Sequence, residues 1–148
     1  MNRIDSFSGN YAYLSNFYRV PVVFEGVIYP STENAYQAAK TTNLELREPF
    51  QTYTSGKAKQ EGSRLKLRPG WDTGLKLKVM EEVCWYKFYN DLICRANLLA
   101  TKGIELIEGN SHGDRYWGVC NGVGDNNLGK ILMRIRMQLE TGEYLVDY

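Results

Sequence analysis

Residues 22–40 read Val-Val-Phe-Glu-Gly-Val-Ile-Tyr-Pro-Ser-Thr-Glu-Asn-Ala-Tyr-Gln-Ala-Ala-Lys, and this segment indicates the architecture most clearly. Two short apolar runs flank a Glu-Gly pair, a pattern that predicts a β-hairpin with a tight turn. Pro30 is expected to end the second strand. The hydroxyl of Ser31 or Thr32 is then expected to cap a helix that runs to about Lys40. A hairpin followed directly by a helix is therefore the first predicted unit.

Apolar spacing predicts four further helices. A short one is expected near Lys57 to Arg64, and a longer one over residues 72–88 with its apolar stripe at every third or fourth position. Asn90 is expected to cap the next helix, with Leu92, Ile93, Ala96 and Leu99 facing inward. The last helix begins at about Leu128 and carries Leu128, Ile131, Leu132, Ile135 and Leu139 toward the core, with Gly142 just past its end.

A short strand is expected between Ile104 and Ile107, and a loop from Gly109 to Asp114. Unequal helices with a small β-sheet, and no alternation of strand and helix, indicate the α+β class. A chain of 148 residues has the size of one domain. The prediction is therefore a predominantly helical single domain over residues 1–148.

Charge and cysteine content exclude several function classes. The formal net charge of +1 gives no global electrostatic argument for a nucleic-acid binder. Three cysteines without CxxC spacing and a single His112 provide no recognisable zinc set, so we expect no metal. Neither a signal pattern nor an apolar run of about 20 residues is present. We expect a cytoplasmic protein with no membrane partner, and the sequence carries no signal for an oligomeric state.

One local cluster of charge departs from this balance. Five basic residues fall within twelve positions, opposed only by Glu61. Such a patch can meet phosphates, and it can equally be the solvated face of a helix. The five residues are Lys57, Lys59, Arg64, Lys66 and Arg68.

Glu33 and Lys40 are candidates for chemistry because they lie seven positions apart, which returns them to nearly one face of a helix. Their separation along the axis would be about 10 Å, too long for a local ion pair. They could place a carboxylate and an ammonium at two depths of a cleft. Alternatively, they are only the acidic first turn and basic last turn that the helix dipole favours.

A second polar block lies at residues 114–129, where Asp114 and Trp117 stand next to several glycines. Trp117 could offer an open ring face for stacking, or it could be a core residue of a short strand. The start of the last helix could bind a phosphate, or Asn126 could simply cap that helix. Near the N-terminus, Asn16 could bond a ribose hydroxyl or base edge and Phe17 could stack on a ring, or both could belong to a turn.

Four short motifs resemble the NADAR family, whose name refers to NAD and ADP-ribose. They are Leu-Ser-Asn-Phe at 14–17, Tyr-Pro-Ser-Thr-Glu-Asn-Ala-Tyr-Gln-Ala-Ala-Lys at 29–40, Asp-Arg-Tyr-Trp-Gly at 114–118 and Gly-Asp-Asn-Asn-Leu-Gly at 124–129. The resemblance runs from about residue 14 to 139. The same pattern continues between the motifs through Gly62, Arg68, Trp71-Asp72, Lys76, Met80 and Lys87-Phe88.

The resemblance implies the α+β fold and an N-glycosidase, a hydrolase that breaks the bond between ribose C1′ and a nitrogen. Two substrate classes are implied: ribosylamine intermediates of the riboflavin pathway, or ADP-ribose attached to guanine in nucleic acid or nucleotide. The partner is thus a ribosylated small molecule or ADP-ribosylated nucleic acid. No cofactor is expected.

The same resemblance implies roles for individual residues. Glu33 would stabilise positive charge at C1′ and orient water. Lys40 would polarise a leaving group or ring oxygen, or attack C1′ as an amine. Asp114, the third catalytic candidate with Glu33 and Lys40, would hold ribose hydroxyls. The substrate-binding positions are Asn16, Phe17, Tyr36, Arg68, Trp71, Trp117, Gly118 and Asn126.

Two other function classes use the same residues. A non-catalytic module that reads ADP-ribose or a related nucleotide would have the same pocket and ligand affinity but form no product. An ADP-ribosyltransferase fits less well, because the chain has no recognisable transferase signature. Release of a free base from a ribosylated compound, detected by mass, separates the hydrolase from the binding module.

Overall fold

The structure is a computed structural model and describes residues 2–143. Three 3-10 turns, Gly9–Leu14, Glu48–Gln51 and Trp71–Thr73, connect the regular elements of this part of the chain. The strands are β1 Arg3–Ile4, β2 Arg19–Phe24, β3 Val27–Ser31, β4 Glu105–Leu106, β5 Gly109–Asn110 and β6 Val119–Cys120. The helices are α1 Thr32–Ala38, α2 Leu44–Arg47, α3 Ser55–Gly62, α4 Leu75–Asn90, α5 Leu92–Leu99 and α6 Asn127–Thr141.

The α+β class with dominant helices is confirmed. In place of one small sheet, the described strands form three separate pairs. β2 and β3 are antiparallel, whereas β1 with β4 and β5 with β6 are parallel. The pair of β5 and β6 uses part of the predicted loop 109–114. Within residues 2–143, no helix combines the length and apolar character that crossing a bilayer requires.

The described chain divides into two compact units. The central unit is Asn16–Lys87, and the terminal unit consists of residues 2–15 and 88–143. Each unit has its own buried apolar residues. In the central unit these include Val22, Phe24, Tyr29, Ala35 and Val83; in the terminal unit they include Ile4, Leu98, Leu106, Leu132 and Ile135.

The predicted hairpin of the central unit is confirmed, with Val22 opposite Tyr29 and Phe24 opposite Val27. Its two turn residues have positive φ angles of 47° and 79°, the conformation that two-residue hairpin turns require. Pro30, however, lies inside β3 rather than ending it. A proline fits there because the ribbon has only two strands and the register shifts between Arg19 and Val22.

Helix α1 begins as predicted, since Ser31 Oγ accepts a hydrogen bond of 3.1 Å from the N–H of Asn34. It ends earlier than predicted, at Ala38, so Lys40 lies beyond the helix. The chain leaves the helix through a tightened turn, in which the N–H of Lys40 donates to the carbonyl of Gln37. The prediction that Glu33 and Lys40 lie on one face of a continuous helix is therefore wrong.

All seven residues of α1 are buried, although several are polar. Two hydrogen bonds from Asn34 Nδ2 reach the carbonyls of Phe50 and Tyr53, at 2.9 and 2.8 Å. Ser55, the first residue of α3, donates from Oγ to Ser31 Oγ at 3.2 Å. These bonds join the start of α1 to the 48–51 turn and the residues just after it, and to the start of α3, a helix predicted a few residues later.

In the terminal unit, α6 follows the prediction closely. Its five predicted core residues are all buried, and Gly142 adopts a left-handed conformation at the helix end. The buried guanidinium of Arg136 donates from Nη1 to the carbonyls of Thr101 and Ile104, at 2.9 and 2.7 Å. This helix thereby carries both the apolar core and an anchor for the chain before β4.

The prediction for α5 is wrong in two respects. Asp91, not Asn90, caps the helix, with Oδ1 accepting from the N–H of Cys94 at 2.9 Å. The buried residues are Cys94 and Leu98, while Leu92 and Ile93 are 75% and 73% exposed. The other two residues expected inward, Ala96 and Leu99, are exposed and half-buried. Both faces of this short helix are apolar, so its sequence alone did not identify the buried one.

A buried hydroxyl provides a test of the central unit. Tyr29 is fully buried, and within the described residues its Oη has no hydrogen-bond partner. We expect Tyr29→Phe to leave the free energy of unfolding unchanged or raise it by up to about 1 kcal/mol, because no hydrogen bond is lost.

Tyr13→Phe is the matched control, because the Tyr13 hydroxyl donates to the carbonyl of Asn97 at 3.0 Å. Its loss should cost about 0.5–1.5 kcal/mol. Urea unfolding of both variants measures the difference. A Tyr29→Phe protein less stable than Tyr13→Phe would contradict the description of this hydroxyl.

Candidate active site

The structure divides the predicted site residues between the two units. The central unit contains Asn16, Phe17, Glu33, Tyr36, Lys40, Arg68 and Trp71, and the terminal unit contains Asp114, Trp117, Gly118 and Asn126.

Glu33 is a buried carboxylate, 7% exposed, in the first turn of α1. Its backbone N–H donates to the carbonyl of Asn16 at 3.0 Å, and the Thr32 hydroxyl donates to the same oxygen. The side-chain Oε1 accepts a hydrogen bond of 2.8 Å from Nε2 of Gln37, one turn later. The carboxylate therefore has a defined position even though a glutamate has three rotatable bonds.

Lys40 is half-buried just after α1. Its Nζ lies 5.8 Å from the centre of the Tyr36 ring, and its carbonyl accepts from the N–H of Arg68 at 2.8 Å. Burial lowers the pKa of Lys40 below its usual range; Glu33 and Asp72 oppose the change and Lys76 adds to it. A lowered pKa increases the neutral fraction of the amine, the form that can act as a nucleophile.

Tyr36 and Trp71 form an aromatic pair, with ring centres 5.4 Å apart and planes tilted by 42°. Both side chains are buried. The ring of Tyr36 thus packs against Trp71 and also lies near the Lys40 ammonium. The structure shows these two rings packed within the central unit. Their direct contact with a substrate stays a prediction.

The two residues of the Asn16-Phe17 motif have different surroundings. The side-chain amide of Asn16 donates to Met80 Sδ at 3.3 Å and accepts from Cys84 Sγ at 3.7 Å. Phe17, by contrast, is exposed, with Lys59 Nζ 6.0 Å from its ring centre. The exposed Phe17 ring is accessible for stacking. The Asn16 amide already bonds to two sulfur atoms, so a ribose contact there is less compatible with the structure.

The basic run of residues 57–68 is partly neutralised by ion pairs. Lys57 and Arg64 both reach Glu61, at 3.2 and 3.1 Å. Arg68 lies 3.5 Å from a carboxylate oxygen of Glu25 and 3.4 Å from the carbonyl of Ala39. These pairs reduce the local field that a phosphate would meet.

Lys87 was not among the predicted site residues, yet it is only 1% exposed. Its Nζ lies 5.5 Å from the Tyr18 ring, and it belongs to the buried face of α4 that also carries Cys84. Burial raises the pKa of Cys84 to about 12; Lys87 opposes this rise, whereas Glu81 and Glu33 add to it. Lys87 follows buried Val83 by four residues, so helical spacing alone would have placed it on the buried face of α4.

In the terminal unit, Asp114 shapes the loop before Trp117. One carboxylate oxygen, Oδ1, accepts from the N–H groups of Tyr116 and Trp117, at 3.1 and 2.9 Å. Asn110 brackets the same residue, because its amide bonds both the N–H and the carbonyl of Asp114. The half-buried Trp117 ring stands edge-on to Tyr116, with centres 4.8 Å apart. Asp114 therefore orients Trp117 within this loop.

Gly118 and Asn126 hold the backbone of the terminal unit together. A Cβ added at Gly118 would overlap the side chain and carbonyl of Glu108. Asn126 sits before α6 with a φ of 52° and makes no capping bond to that helix. Its Oδ1 accepts from the N–H of Glu108 and its Nδ2 donates to the carbonyl of Leu106, both at 2.9 Å. Capping of α6 by the Asn126 side chain, which its position allowed, is therefore not observed.

No group of three or more His, Cys, Asp or Glu residues within 2–143 is arranged to hold a metal ion.

The comparisons with known proteins agree with the predicted family. The NADAR domain model matches residues 5–140, and this chain belongs to the NADAR family. It is 36% identical over 138 residues to N-glycosidase YbiA of Shigella boydii serotype 4, covering 90% of this chain and 85% of that protein. It is 32% identical over 136 residues to the Riboflavin biosynthesis protein VVA0006 of Vibrio vulnificus, covering 88% of this chain but 36% of that protein.

The fold also matches a solved structure. The NMR structure of the Escherichia coli protein YbiA is similar with a TM-score of 0.82 and 31% sequence identity, over 99% of this chain and 88% of that chain. The predicted family and fold class are confirmed. The N-glycosidase names of the relatives agree with the predicted class of enzyme.

Asn126 offers a test of the terminal unit that separates side-chain bonds from backbone conformation. Asn126→Gly removes both hydrogen bonds but relieves the positive φ, so we expect a loss of about 1–3 kcal/mol in the free energy of unfolding. Asn121→Gly is the control, because Asn121 is exposed and has a nearly equal φ of 53°.

The control should change stability by no more than about 0.5 kcal/mol. Both values come from urea unfolding. Equal effects of the two substitutions would mean that the Asn126 side chain contributes nothing.

Proposed function

We propose that this protein is an N-glycosidase that hydrolyses the C1′–N bond of a ribosylated base or amine. The observation that carries the proposal is the position of Glu33. Its buried carboxylate accepts a hydrogen bond from Gln37, its backbone N–H donates to Asn16, and its charge influences the pKa of Lys40. The YbiA relatives, named N-glycosidases, support the same class of reaction.

The chemistry follows from the charge that develops. When the C1′–N bond breaks, its electron pair leaves with the nitrogen and C1′ becomes positive. A fixed carboxylate near C1′ stabilises that charge. Water then adds to C1′, and the proton it loses balances the proton that the leaving nitrogen takes up. Glu33 would orient this water. With Oε1 held by Gln37, the carboxylate would face C1′ of the substrate.

Lys40 would act beside Glu33. As an ammonium it would polarise the leaving group or ring oxygen. As a neutral amine, whose fraction the lowered pKa increases, it would displace the leaving nitrogen at C1′; the ribosyl-lysine would open at the ring oxygen to an imine, which water would hydrolyse to release the sugar and the amine. Borohydride reduction during turnover traps the imine as a stable adduct on Lys40.

The binding roles are proposed for each unit separately. In the central unit, exposed Phe17 would stack on a ring, and Arg68 would contact a phosphate. In the terminal unit, Asp114 would hold ribose hydroxyls through Oδ2, while Trp117 would stack on a base. The backbone near Gly118 and Asn126 would contact phosphate or ribose.

We propose a phosphorylated ribosylamine of the riboflavin pathway or ADP-ribosylated guanine as the substrate. The Vibrio relative, a riboflavin biosynthesis protein by name, supports the first class. The ion pairs of Lys57, Arg64 and Arg68 also favour a small ligand, since a surface for nucleic acid would leave more of its positive charge available to phosphates.

Glu33→Gln tests the carboxylate. We expect kcat to fall by about a hundredfold or more, with ligand binding nearly unchanged, because the amide keeps the shape but not the charge. Glu45→Gln is the matched control, an exposed glutamate in the first turn of α2. Parental turnover by Glu33→Gln would show that the assignment is wrong.

Substrate choice is tested by parallel turnover of ADP-ribosylated guanine DNA and the pyrimidine ribosylamine phosphate at two salt concentrations. We expect release of a base or amine, detected by mass, with a shallow salt dependence for the small substrate. A nucleic-acid substrate would bind more weakly as salt rises, in proportion to the phosphates contacted. Turnover of neither, together with tight ADP-ribose binding, would favour the non-catalytic binding module.

A further inference from the structure

Gln37 is a buried amide whose two ends have different surroundings. It is 5% exposed, and its Nε2 donates to Glu33 Oε1 at 2.8 Å. Within the described residues its own Oε1 has no hydrogen-bond partner. A buried carbonyl oxygen without a partner costs free energy, so this arrangement calls for a compensating interaction. The bond from Nε2 to a carboxylate is such an interaction, because hydrogen bonds to charged groups are the strong ones.

Gly62 fixes the position of the Gln37 side chain. Helix α3 packs against α1, and a Cβ added at Gly62 would overlap Oε1, Cδ and Cβ of Gln37. The φ of Gly62 is not positive, so the backbone conformation does not require glycine here. Glycine is required because any side chain would overlap Gln37. Even alanine at this position would displace the amide. The absence of a side chain on α3 therefore allows the amide of α1 to reach Glu33.

The orientation of the amide is set by charge. If the amide were turned over, the carbonyl oxygen of Gln37 would face the Glu33 carboxylate, and two acceptors would meet without a proton. With Nε2 toward Glu33, an N–H donor meets the carboxylate, which favours its ionised form. This amide orientation leaves Gln37 Oε1 without a hydrogen-bond partner among the described residues.

We propose that Gln37 is a positioning residue for the reaction: it holds the Glu33 carboxylate ionised and in one orientation, and Gly62 makes its position possible. This inference rests on the proposed function, in which Glu33 acts at C1′. It assigns to Gln37 no contact with substrate.

Other titratable groups near Glu33 belong to two segments. Lys40 follows α1 and also feels Asp72 and Lys76; Cys84 lies on α4 and also feels Lys87 and Glu81. Burial keeps the pKa of Cys84 at about 12, so the thiol stays neutral across the working range. The remaining elements packed on α1 are α3, β2, β3 and the 48–51 turn, and among their buried side chains Tyr29 alone titrates; its pKa is raised by burial. Those buried residues are Val20, Val22, Phe24, Tyr29, Ser31, Phe50, Ser55, Ala58 and Gly62.

Gln37→Glu is the decisive variant, because it keeps the shape and replaces the donor with a second carboxylate. Like charges at hydrogen-bond distance cannot both ionise easily. We expect the acidic limb of the kcat/KM profile to move upward by about one to two pH units. A merely structural role for Gln37 would lower activity at every pH without moving that limb.

Two further variants keep the test decisive if Gln37→Glu folds poorly. Gln37→Leu removes the donor and should lower kcat by about ten- to a hundredfold, the range for a lost hydrogen bond to a charged group. Gly62→Ala keeps the amide but displaces it and should lower kcat in the same direction. Gln60→Glu is the control, the same chemical change at an exposed position of α3.

All variants are assayed on both proposed substrates, with circular dichroism to confirm folding and Glu33→Gln measured alongside. Loss of activity in Glu33→Gln, together with a moved acidic limb in Gln37→Glu, would support the inference. An inactive Glu33→Gln with parental rates and profiles in the Gln37 and Gly62 variants would overturn the inference and leave the proposed function intact. Parental turnover by Glu33→Gln would overturn both.

Discussion

Complete burial of helix α1 is the constraint on which the central unit depends. Thr32, Glu33, Asn34 and Gln37 are polar, and all four are buried with it. Burying polar groups is favourable only when hydrogen bonds replace the lost contacts with water. The neighbouring segments therefore offer backbone carbonyls and hydroxyls to this helix. These hydrogen bonds also fix the backbone path of those segments. A helix with an ordinary amphipathic face would not impose such a requirement.

The same constraint prepares the helix for chemistry. Asn16 contributes its carbonyl to the start of α1, and its side chain is held between two sulfur atoms of α4. The position of Glu33 is thus determined from the backbone on one side and from Gln37 on the other. Because the segment is buried, the charge of Glu33 is weakly screened and acts on Lys40 and Cys84. Fixed charges in a site of low polarity are what stabilisation of a developing cation requires.

The sequence predicted those elements whose pattern allows only one arrangement. The hairpin has a clear turn between two apolar runs, and the leucines and isoleucines of α6 all lie on one face. Helix α5 failed because Leu92 and Ile93 are as apolar as Cys94 and Leu98, and the choice of face depends on tertiary packing. The early end of α1 also escaped prediction, since two alanines precede Lys40 and neither signals a helix end.

Candidate site residues could be selected by chemistry, but their partners could not. Glu33 and Lys40 stand out as charged residues in a motif, and Lys87 was placed by helical spacing but not recognised as buried. Asn126 resembles a helix cap in sequence, yet its side-chain amide bonds to Leu106 of β4 and to Glu108, just before β5. The position of the Gln37 amide depends on the space left at Gly62, 25 positions away, and no local sequence pattern encodes that pairing.

The central claim is that the Gln37 amide and the Glu33 carboxylate act as one hydrogen-bonded pair, and NMR titration measures this directly. The side-chain carboxyl carbon of Glu33 and the side-chain NH₂ of Gln37 are followed together while the pH is varied. The account predicts that both signals change with the same midpoint, because protonation of Glu33 removes the acceptor of the Gln37 donor. A Gln37 amide signal that stays constant while Glu33 titrates would contradict it.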